Sequence, residues 1–240
     1  MKGLFSPDGP VIEFLTVVMD LILLNVLTMI CCLPIVTGGA AMAALHYVLM
    51  QIRENRGESR TGTYFAQFKS NLKNTIPAWL LFFAGAALIA GYYLLFIYTR
   101  QVEMWMFLPV IIVGMVMAGL FAWIFPLMAR FENPFSVTVR NAALLAVGYA
   151  PRTLGMIAVS AGVLLLFTRI FLFYAFFFLM GFSLSAYLST YFYLPVVNGL
   201  IRQAKGEDTE EENDDTDPDS WELPEENGAE ETEDADIPGE

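Results

Sequence analysis

Long apolar stretches separated by short polar segments are the dominant pattern of this chain. Three stretches, 14–33, 76–98 and 104–128, are each long enough to cross a bilayer, because roughly 20 helical residues span a hydrocarbon core about 30 Å thick. A fourth stretch, 153–194, is too long for one crossing and is interrupted at Thr168 and Arg169. The pattern therefore predicts five transmembrane helices, with the last two meeting at Arg169.

The continuity of these apolar stretches decides the fold class. A transmembrane β-barrel would show segments of about ten residues with alternating polarity, which this chain lacks. An open sheet would leave unpaired edge groups in lipid, so the spans must be helices. We expect an all-α, polytopic helical membrane protein with about five transmembrane helices, short interfacial helices and a disordered acidic C-terminal tail.

The positions of the basic residues predict the orientation. Ten of the thirteen bases lie between spans one and two, between spans three and four, or after span five. The other three are Lys2, Arg100 and Arg169. The positive-inside rule places the ten in the cytoplasm. The predicted location is thus a bacterial plasma membrane, with the N-terminus outside and the C-terminus cytoplasmic.

The segment 37–52 leaves an alternative open. It is apolar enough to dip into or cross the bilayer, but its 16 residues would span only about 24 Å as a helix. If it is counted as a sixth span, the N-terminus lies inside. Eleven of the thirteen bases are then on the cytoplasmic side and two on the outer side. We favour a helix that begins at a Thr37 cap and lies partly in the inner leaflet.

Three spans end in similar proline-containing sequences. Pro34, Pro126 and Pro195 each follow a large apolar residue near the predicted cytoplasmic end of a span. Because proline lacks a backbone donor and kinks or ends a helix, we expect these three to be helix-end prolines.

A related basic segment follows two of these prolines. Phe65 and Asn71 recur 70 residues later as Phe135 and Asn141. In the first copy Phe65, Phe68 and Leu72 share one helical face, which predicts an interfacial helix with its apolar side in lipid. The recurrence is compatible with an internal duplication and with chance.

Composition supports the membrane assignment and separates two parts of the chain. Hydrophobic residues make up 56% and charged residues only 16%, against about 25% charged residues in average soluble chains. All 13 bases lie within residues 1–205, whereas 206–240 carries 18 acidic residues and no base. We therefore predict a transmembrane domain over 1–205 and a disordered tail over 206–240. A disulfide scaffold and a nucleic-acid binder are excluded as classes.

The residues that could carry chemistry are few. Asp20 and Asn25 lie inside the first span, and a carboxylate in lipid is costly unless it pairs or has a function. Asp20 could reach the outer interface, pair with an arginine of another span such as Arg100 or Arg169, form a proton or cation site with Asn25, or serve helix packing. Arg140 and Asn141 are candidates for a phosphate or partner contact, with membrane anchoring as the simpler interpretation.

Catalysis, cofactors and metals find no support in the sequence. It contains no phosphate-binding loop, no serine-hydrolase elbow and no zinc-protease motif, and its single histidine, His46, has no second one to act with. Adjacent Cys31 and Cys32 are not expected to form a disulfide with each other. We expect no catalytic, cofactor-binding or metal-binding residues, and we expect His46 to be an interfacial residue.

Several short motifs occur in a characteristic order along the chain. They are MKGLFSPD at 1–8, CLPIVTGGA at 32–40, FKSNLK at 68–73, RNAALL at 140–145 and PRT at 151–153. Together they resemble the YesL-like family of bacterial integral membrane proteins of unknown function. The resemblance covers about 1–205 and implies a multi-span plasma-membrane protein. Genes of the family often lie beside genes of carbohydrate ABC transporters, which implies an accessory or regulatory partner of their permease subunits.

The rival from another class is a small secondary transporter or channel that uses Asp20 and Asn25. The few polar residues within the spans are an argument against it. The sequence leaves the substrate, the partner and the oligomeric state open. The lipid bilayer is the one partner that the composition itself establishes.

Overall fold

The computed structural model describes residues 10–56, 59–99, 107–169 and 174–214, and all described elements are helices. They are α1 (Pro10–Cys32), a short 3-10 turn (Ile35–Thr37), α2 (Gly38–Arg53), α3 (Arg60–Thr99), α4 (Phe107–Arg130), α5 (Phe135–Gly148), α6 (Ala150–Arg169) and α7 (Tyr174–Asp214). The all-α class is confirmed. The predicted break just after Thr168 and Arg169 adjoins residues 170–173, which lie outside the described residues, so it stays a prediction.

Several helices could cross a membrane. In the described part of the chain, four stretches are long and apolar enough, namely Val11–Cys32, Ile35–Arg53, Arg60–Leu95 and Phe107–Arg130. A fifth is obtained if α5 and α6, which meet at an angle of 97°, form one broken span. The chain is therefore a polytopic helical membrane protein, and the segment 37–52 qualifies as a span by length and composition.

The centre of the packing is α2. Twelve of its sixteen residues are buried, although it is no longer than about 24 Å. Leu45, Val48 and Leu49 pack in one cluster with Leu21 and Leu24 of α1. The helix does follow Thr37 at its N-cap, as predicted, but the Thr37 hydroxyl donates to the carbonyls of Cys31 and Pro34 and makes no side-chain cap bond. Neighbouring helices bury most of α2, and its predicted position in the inner leaflet stays a prediction.

The predicted interfacial helix around 64–73 and the second predicted span are one continuous helix, α3. Pro77 lies inside it. We call 60–76 its first half and 77–99 its second half. The first half runs antiparallel to α2, because a Cβ at Gly39 would lie 3.0 Å from Thr75 and Tyr64 reaches Ala41. A proline inside a helix costs one hydrogen bond, which neighbouring helices can offset, so it need not end the helix.

The same reason corrects two of the three helix-end prolines. Pro34 does lie between helices, after α1 and before the 3-10 turn. Pro126 lies inside α4, which continues to Arg130, and Pro195 lies inside α7. These two residues do not end their helices.

The second half of α3 packs antiparallel against α4. The ring centroids of Trp79 and Phe125 lie 6.4 Å apart, and those of Phe82 and Phe121 lie 5.2 Å apart. A Cβ at Gly85 would collide with Met117. Rising residue numbers on α3 therefore meet falling numbers on α4, as in a helical hairpin.

The bend between α5 and α6 is held by a buried threonine. The Thr153 hydroxyl donates to the carbonyls of Ala146 and Tyr149, and it accepts a 2.9 Å hydrogen bond from Nε1 of Trp123 on α4. Such bonds satisfy the carbonyls that a helix end leaves unpaired. The 97° turn is thus anchored to α4 at one polar point.

The chain divides into two units, Met1–Asn198 and Gly199–Glu240. The packing described above belongs to the first unit. In the second unit, 199–214 continues as helix, so 206–214 of the predicted disordered tail is helical. Residues 215–240 of that predicted tail lie outside the described residues.

Candidate functional site

Asp20 is paired within the structure. Its Oδ2 atom lies 3.2 Å from Nε of Arg60, at the start of α3. The two side chains are 18% and 24% exposed, respectively. The pair explains how α1 accommodates a carboxylate, because an opposite charge offsets part of the cost of removing it from water.

Pairing with an arginine of another helix is confirmed for Asp20, and the partner is Arg60. The arginines named from the sequence, Arg100 and Arg169, have side chains outside the described part of the structure. The sequence also suggested that Asp20 reaches the outer interface and that Arg60 is cytoplasmic. These two placements, on opposite sides of the membrane, exclude each other, because the two side chains lie 3.2 Å apart.

Asn25 is fully buried and joins α1 to α7. Its Oδ1 atom accepts hydrogen bonds from the backbone N–H groups of Phe182 and Ser183, each 3.0 Å long. Its Nδ2 atom donates to the carbonyl of Phe178 at 2.7 Å. Phe178 and Phe182 are one turn apart, the spacing at which α-helix backbone groups normally bond each other. The Asn25 amide is therefore inserted at the backbone of α7.

This geometry gives Asn25 a structural role. A primary amide offers two donors and one acceptor oxygen with two lone pairs, and Asn25 uses both of those lone pairs on α7. Asp20 and Asn25 therefore bind different elements, Arg60 on α3 and the backbone of α7. The structure does not bring them together on a shared ligand.

His46 is buried, which corrects the expectation of an interfacial residue. Its Nδ1 atom lies 3.0 Å from the hydroxyl of Tyr193 on α7, and Tyr193 is itself fully buried. His46 also lines an apolar cavity of about 440 Å³ between α2, α4, α6 and α7. The Ser160 and Ser185 hydroxyls bond each other at 3.0 Å on the wall of this cavity. These polar groups are used in helix–helix contacts.

The two basic loops that the sequence placed on one side are joined in the structure. Arg130, at the end of α4, approaches Glu54, just after α2, at 3.5 Å. Arg56 lies 3.7 Å from the other oxygen of Glu54, with its own side chain 69% exposed. The loop after α2 and the loop after α4 therefore lie at one face of the first unit.

A polar cleft of about 450 Å³ opens at this face. It lies between α2, the first half of α3 and the end of α4. We call it the polar cleft. Its lining residues are Tyr47, Gln67, Ser70, Asn71, Asn74, Met128, Ala129, Arg130, Phe131, Glu132 and Asn133.

Four bases are exposed on α3, before it and on α5. Lys69 and Lys73 are on the first half of α3, which lines the cleft, Arg56 precedes that helix, and Arg140 is on α5. We call these four residues the basic face. Asn141, next to Arg140, is half-buried. In the described residues no hydrogen bond or ion pair links Arg140 or Asn141 to Asp20 or Asn25.

Metal ligands are not clustered in the part of the chain that the structure describes. No group of three or more His, Cys, Asp or Glu side chains there is close enough to hold a metal ion. Cys31 and Cys32 are partly buried free thiols. The absence of a metal or cofactor stays a prediction.

The polar cleft was missed by sequence reasoning. Gln67, Ser70, Asn71 and Asn74 recur at helical spacing, which places them on one face of the first half of α3. The sequence-based prediction for this helix used a different face, the apolar one with Phe65, Phe68 and Leu72, and it did not consider the polar face. The contribution of residues 128–133 could not be inferred, because it depends on how α4 packs.

Comparison with known proteins gives one match. Residues 21–93, less than a third of the chain, match the family described as "Protein of unknown function, DUF624". No curated protein and no solved structure matches the chain. The matched segment runs from α1 through α2 into the second half of α3 and includes Asn25, His46 and Arg60. The chain is thus similar over its first three helices to a family of unknown function, and the narrower YesL-like resemblance stays a prediction.

Proposed function

We propose that this chain is a non-catalytic accessory or regulatory partner of a carbohydrate ABC transporter in the bacterial plasma membrane. One observation supports it most. Lys69 and Lys73 are exposed on the helix that lines the polar cleft, whereas Asp20, Asn25 and His46 bond other helices. An exposed, charged surface of this kind suits recognition of another protein. The link to carbohydrate rests on the YesL-like resemblance alone.

The alternative function, a small secondary transporter or channel, has less support. A transport path would need polar groups that are available to a substrate. Asp20 is paired with Arg60, Asn25 is bonded to α7 and His46 is bonded to Tyr193. The candidate path residues therefore already serve helix–helix contacts.

The proposed orientation keeps the C-terminus and both basic loops in the cytoplasm. The Asp20–Arg60 pair then favours a cytoplasmic N-terminus over the outer location predicted from the sequence. From Pro10 to Asp20, α1 covers only about 15 Å, half of a hydrocarbon core. The location of the N-terminus is tested in a chain that lacks Cys31 and Cys32 and carries a single cysteine introduced near residue 6. An impermeant maleimide labels this cysteine only if it is accessible from outside. Labelling in intact cells would favour the outer location.

The partner proposal is tested by affinity purification of the full chain in mild detergent, followed by mass spectrometry. We expect permease or solute-binding subunits above the level found with an unrelated tagged membrane protein. Lys69→Gln with Lys73→Gln should abolish this recovery. Arg202→Gln with Lys205→Gln removes the same charge elsewhere and should preserve it. Recovery of the wild-type chain alone would contradict the proposal, and equal recovery with both double variants would exclude the basic face as the interface.

A further inference from the structure

The polar cleft is built largely from uncharged hydrogen-bonding groups. Gln67, Asn71, Asn74 and Asn133 supply four primary amides, and Ser70 and Tyr47 supply hydroxyls. Each amide offers donors and an acceptor, and each hydroxyl can do both. A surface of this kind is matched by a ligand whose groups also both donate and accept.

Two of the amides are held in place by each other. Nδ2 of the buried Asn71 donates to the carbonyl of Gln67 at 2.9 Å and to its Oε1 atom at 3.3 Å. This bond fixes the Gln67 and Asn71 side chains along the first half of α3. It uses neither the Nε2 donor of Gln67 nor the Oδ1 acceptor of Asn71. Preorganised groups lose less conformational entropy when a ligand binds.

The charges at the cleft do not favour an anion. The single base in its lining, Arg130, is 3.5 Å from Glu54, and the lining also includes the acidic Glu132. Lys69 and Lys73 are exposed on the same helix, but they are not among the lining residues. The cleft itself is therefore close to neutral.

Two rings add apolar surface. Tyr47 of α2 and Phe131, just after α4, both line the cleft. An aromatic ring offers a flat apolar face, which suits the C–H face of a sugar ring. The volume of about 450 Å³ lies in the range of about 300–1,000 Å³ typical of small-molecule sites.

We propose that the polar cleft binds a neutral polyhydroxylated molecule, a sugar or polyol group, through the amides of Gln67, Asn71, Asn74 and Asn133. The hydroxyls of such a ligand both donate and accept, as these amides do, and no charge has to be neutralised. The proposed partner of the basic face is a separate matter, and this binding site does not rest on it.

The test uses the full chain in nanodiscs of phosphatidylethanolamine and phosphatidylglycerol. Maltoside detergents are removed, because their headgroup is itself a disaccharide. Maltose is titrated and its binding followed by saturation-transfer NMR. We expect saturable binding in the millimolar range or tighter. Asn74→Ala with Asn133→Ala, both exposed positions, should weaken it about tenfold. Gln203→Ala, an exposed amide on α7, is the matched control and should leave it unchanged.

Several outcomes would overturn the proposal. If a sample that unfolds cooperatively, and is therefore folded, shows no saturable binding of maltose or glucose, the cleft does not bind sugars. Tighter binding of glucose 6-phosphate than of glucose would assign the cleft to an anion. Equal weakening by the Gln203 control would place the site elsewhere.

A second experiment distinguishes a lipid headgroup from a free sugar as the ligand, and it uses nanodiscs that contain a diglucosyl lipid. If this lipid competes with maltose, the cleft binds a lipid headgroup. If maltose binding is unchanged, the cleft binds a soluble sugar.

Discussion

The two halves of α3 are parts of one helix that meet different surroundings. The first half buries Tyr64, Asn71 and Thr75 against α2 and exposes Lys69 and Lys73. The second half exposes large apolar residues such as Leu80, Leu88 and Leu94. Polar groups are covered and bases exposed in one half, whereas apolar groups are exposed in the other. The exposed side chains of this one helix therefore change near Pro77 from partly polar to mainly apolar, as expected for a helix that enters a bilayer there.

The comparison teaches that apolar content alone does not identify what a helix faces. The apolar residues of α2 are covered by neighbouring helices, whereas many large apolar residues of the second half of α3 are exposed, as expected for a surface that contacts lipid. The burial of each side chain separates the two cases. Substitutions of the same residue type in the two halves should therefore have different consequences.

The largest difference is expected between two tyrosines. Tyr64 is fully buried, and its hydroxyl donates to Oγ1 of Thr28 at 3.2 Å. Tyr93, in the second half, is 60% exposed. Tyr64→Ala should lower the free energy of unfolding by about 3–5 kcal/mol, the cost of removing a buried aromatic side chain. Tyr93→Ala should lower it by less than about 1 kcal/mol.

The measurement is the midpoint of unfolding in a denaturing-detergent titration of both variants, with the wild-type chain as reference. Equal loss of stability at the two positions would contradict the distinction between a protein-covered and a lipid-covered half. A Tyr64→Phe variant isolates the hydroxyl, whose bond should contribute about 0.5–1.5 kcal/mol.

The next largest effect is expected from a charge in the second half. Leu88 is 67% exposed and lies near its middle. Leu88→Lys should disfavour membrane insertion by about 3 kcal/mol, because lysine at a span centre costs about 2.5–3.5 kcal/mol. In the first half, Lys69→Leu should leave insertion unchanged. The fraction of chain that resists alkaline extraction of membranes is the readout. Normal insertion of the Leu88 variant would mean that this side of the helix is not in lipid.

A smaller effect is expected at glycines. A Cβ at Gly38 of α2 would lie 2.6 Å from Cζ2 of Trp79, which is stacked on Phe82 with centroids 5.2 Å apart. Gly38→Ala should therefore lower the free energy of unfolding by about 1–3 kcal/mol through overpacking. A Cβ at Gly91, in the second half, would meet no atom within 4 Å. Gly91→Ala should be neutral or raise stability by up to about 1 kcal/mol. Thermal unfolding of the two variants in one detergent compares them, and an unchanged Gly38 variant would show that α2 and Trp79 can separate without cost.

The sequence was sufficient for the local features of this fold. Apolar stretches long enough to cross a bilayer predicted the helices, whereas the turn predicted at Thr168–Arg169 adjoins residues 170–173, outside the described part of the chain. The continuity of α3 through Pro77 and of α4 through Pro126 was not predicted. A proline weakens a helix locally, and only the packing of neighbouring helices determines whether the helix continues.

The candidate site depends on contacts that are distant in sequence. Asn25 and Phe182 are 157 residues apart, and His46 and Tyr193 are 147 apart. A single sequence identifies Asn25 as unusual because it is polar in a span, but it contains no signal for the partner. The same holds for Asp20, whose partner was sought among arginines predicted at the outer side. Arg140 is exposed and Asn141 half-buried, and their predicted phosphate or partner contact stays a prediction.

The smallest effect is expected at the start of the first half, in the Asp20–Arg60 pair. Both side chains remain partly exposed, and Nη1 of Arg60 also donates to the carbonyl of Arg56 at 2.7 Å. Solvent screens such a pair, so Asp20→Asn and Arg60→Gln should show a coupling of about 0.2–1 kcal/mol in a double-mutant cycle.

The size of that coupling sharpens the comparison of the two halves. A partly exposed pair at the polar end of α3 loses little when one charge is removed, because water stabilises the remaining charge. A pair within lipid would lose about 3–5 kcal/mol on removal of one partner, because the other charge would stay buried. Unfolding midpoints of the wild type, the two single variants and the double variant give the coupling. A coupling of about 3–5 kcal/mol would place Asp20 and the start of α3 inside the bilayer. It would contradict a polar environment for the first half of α3.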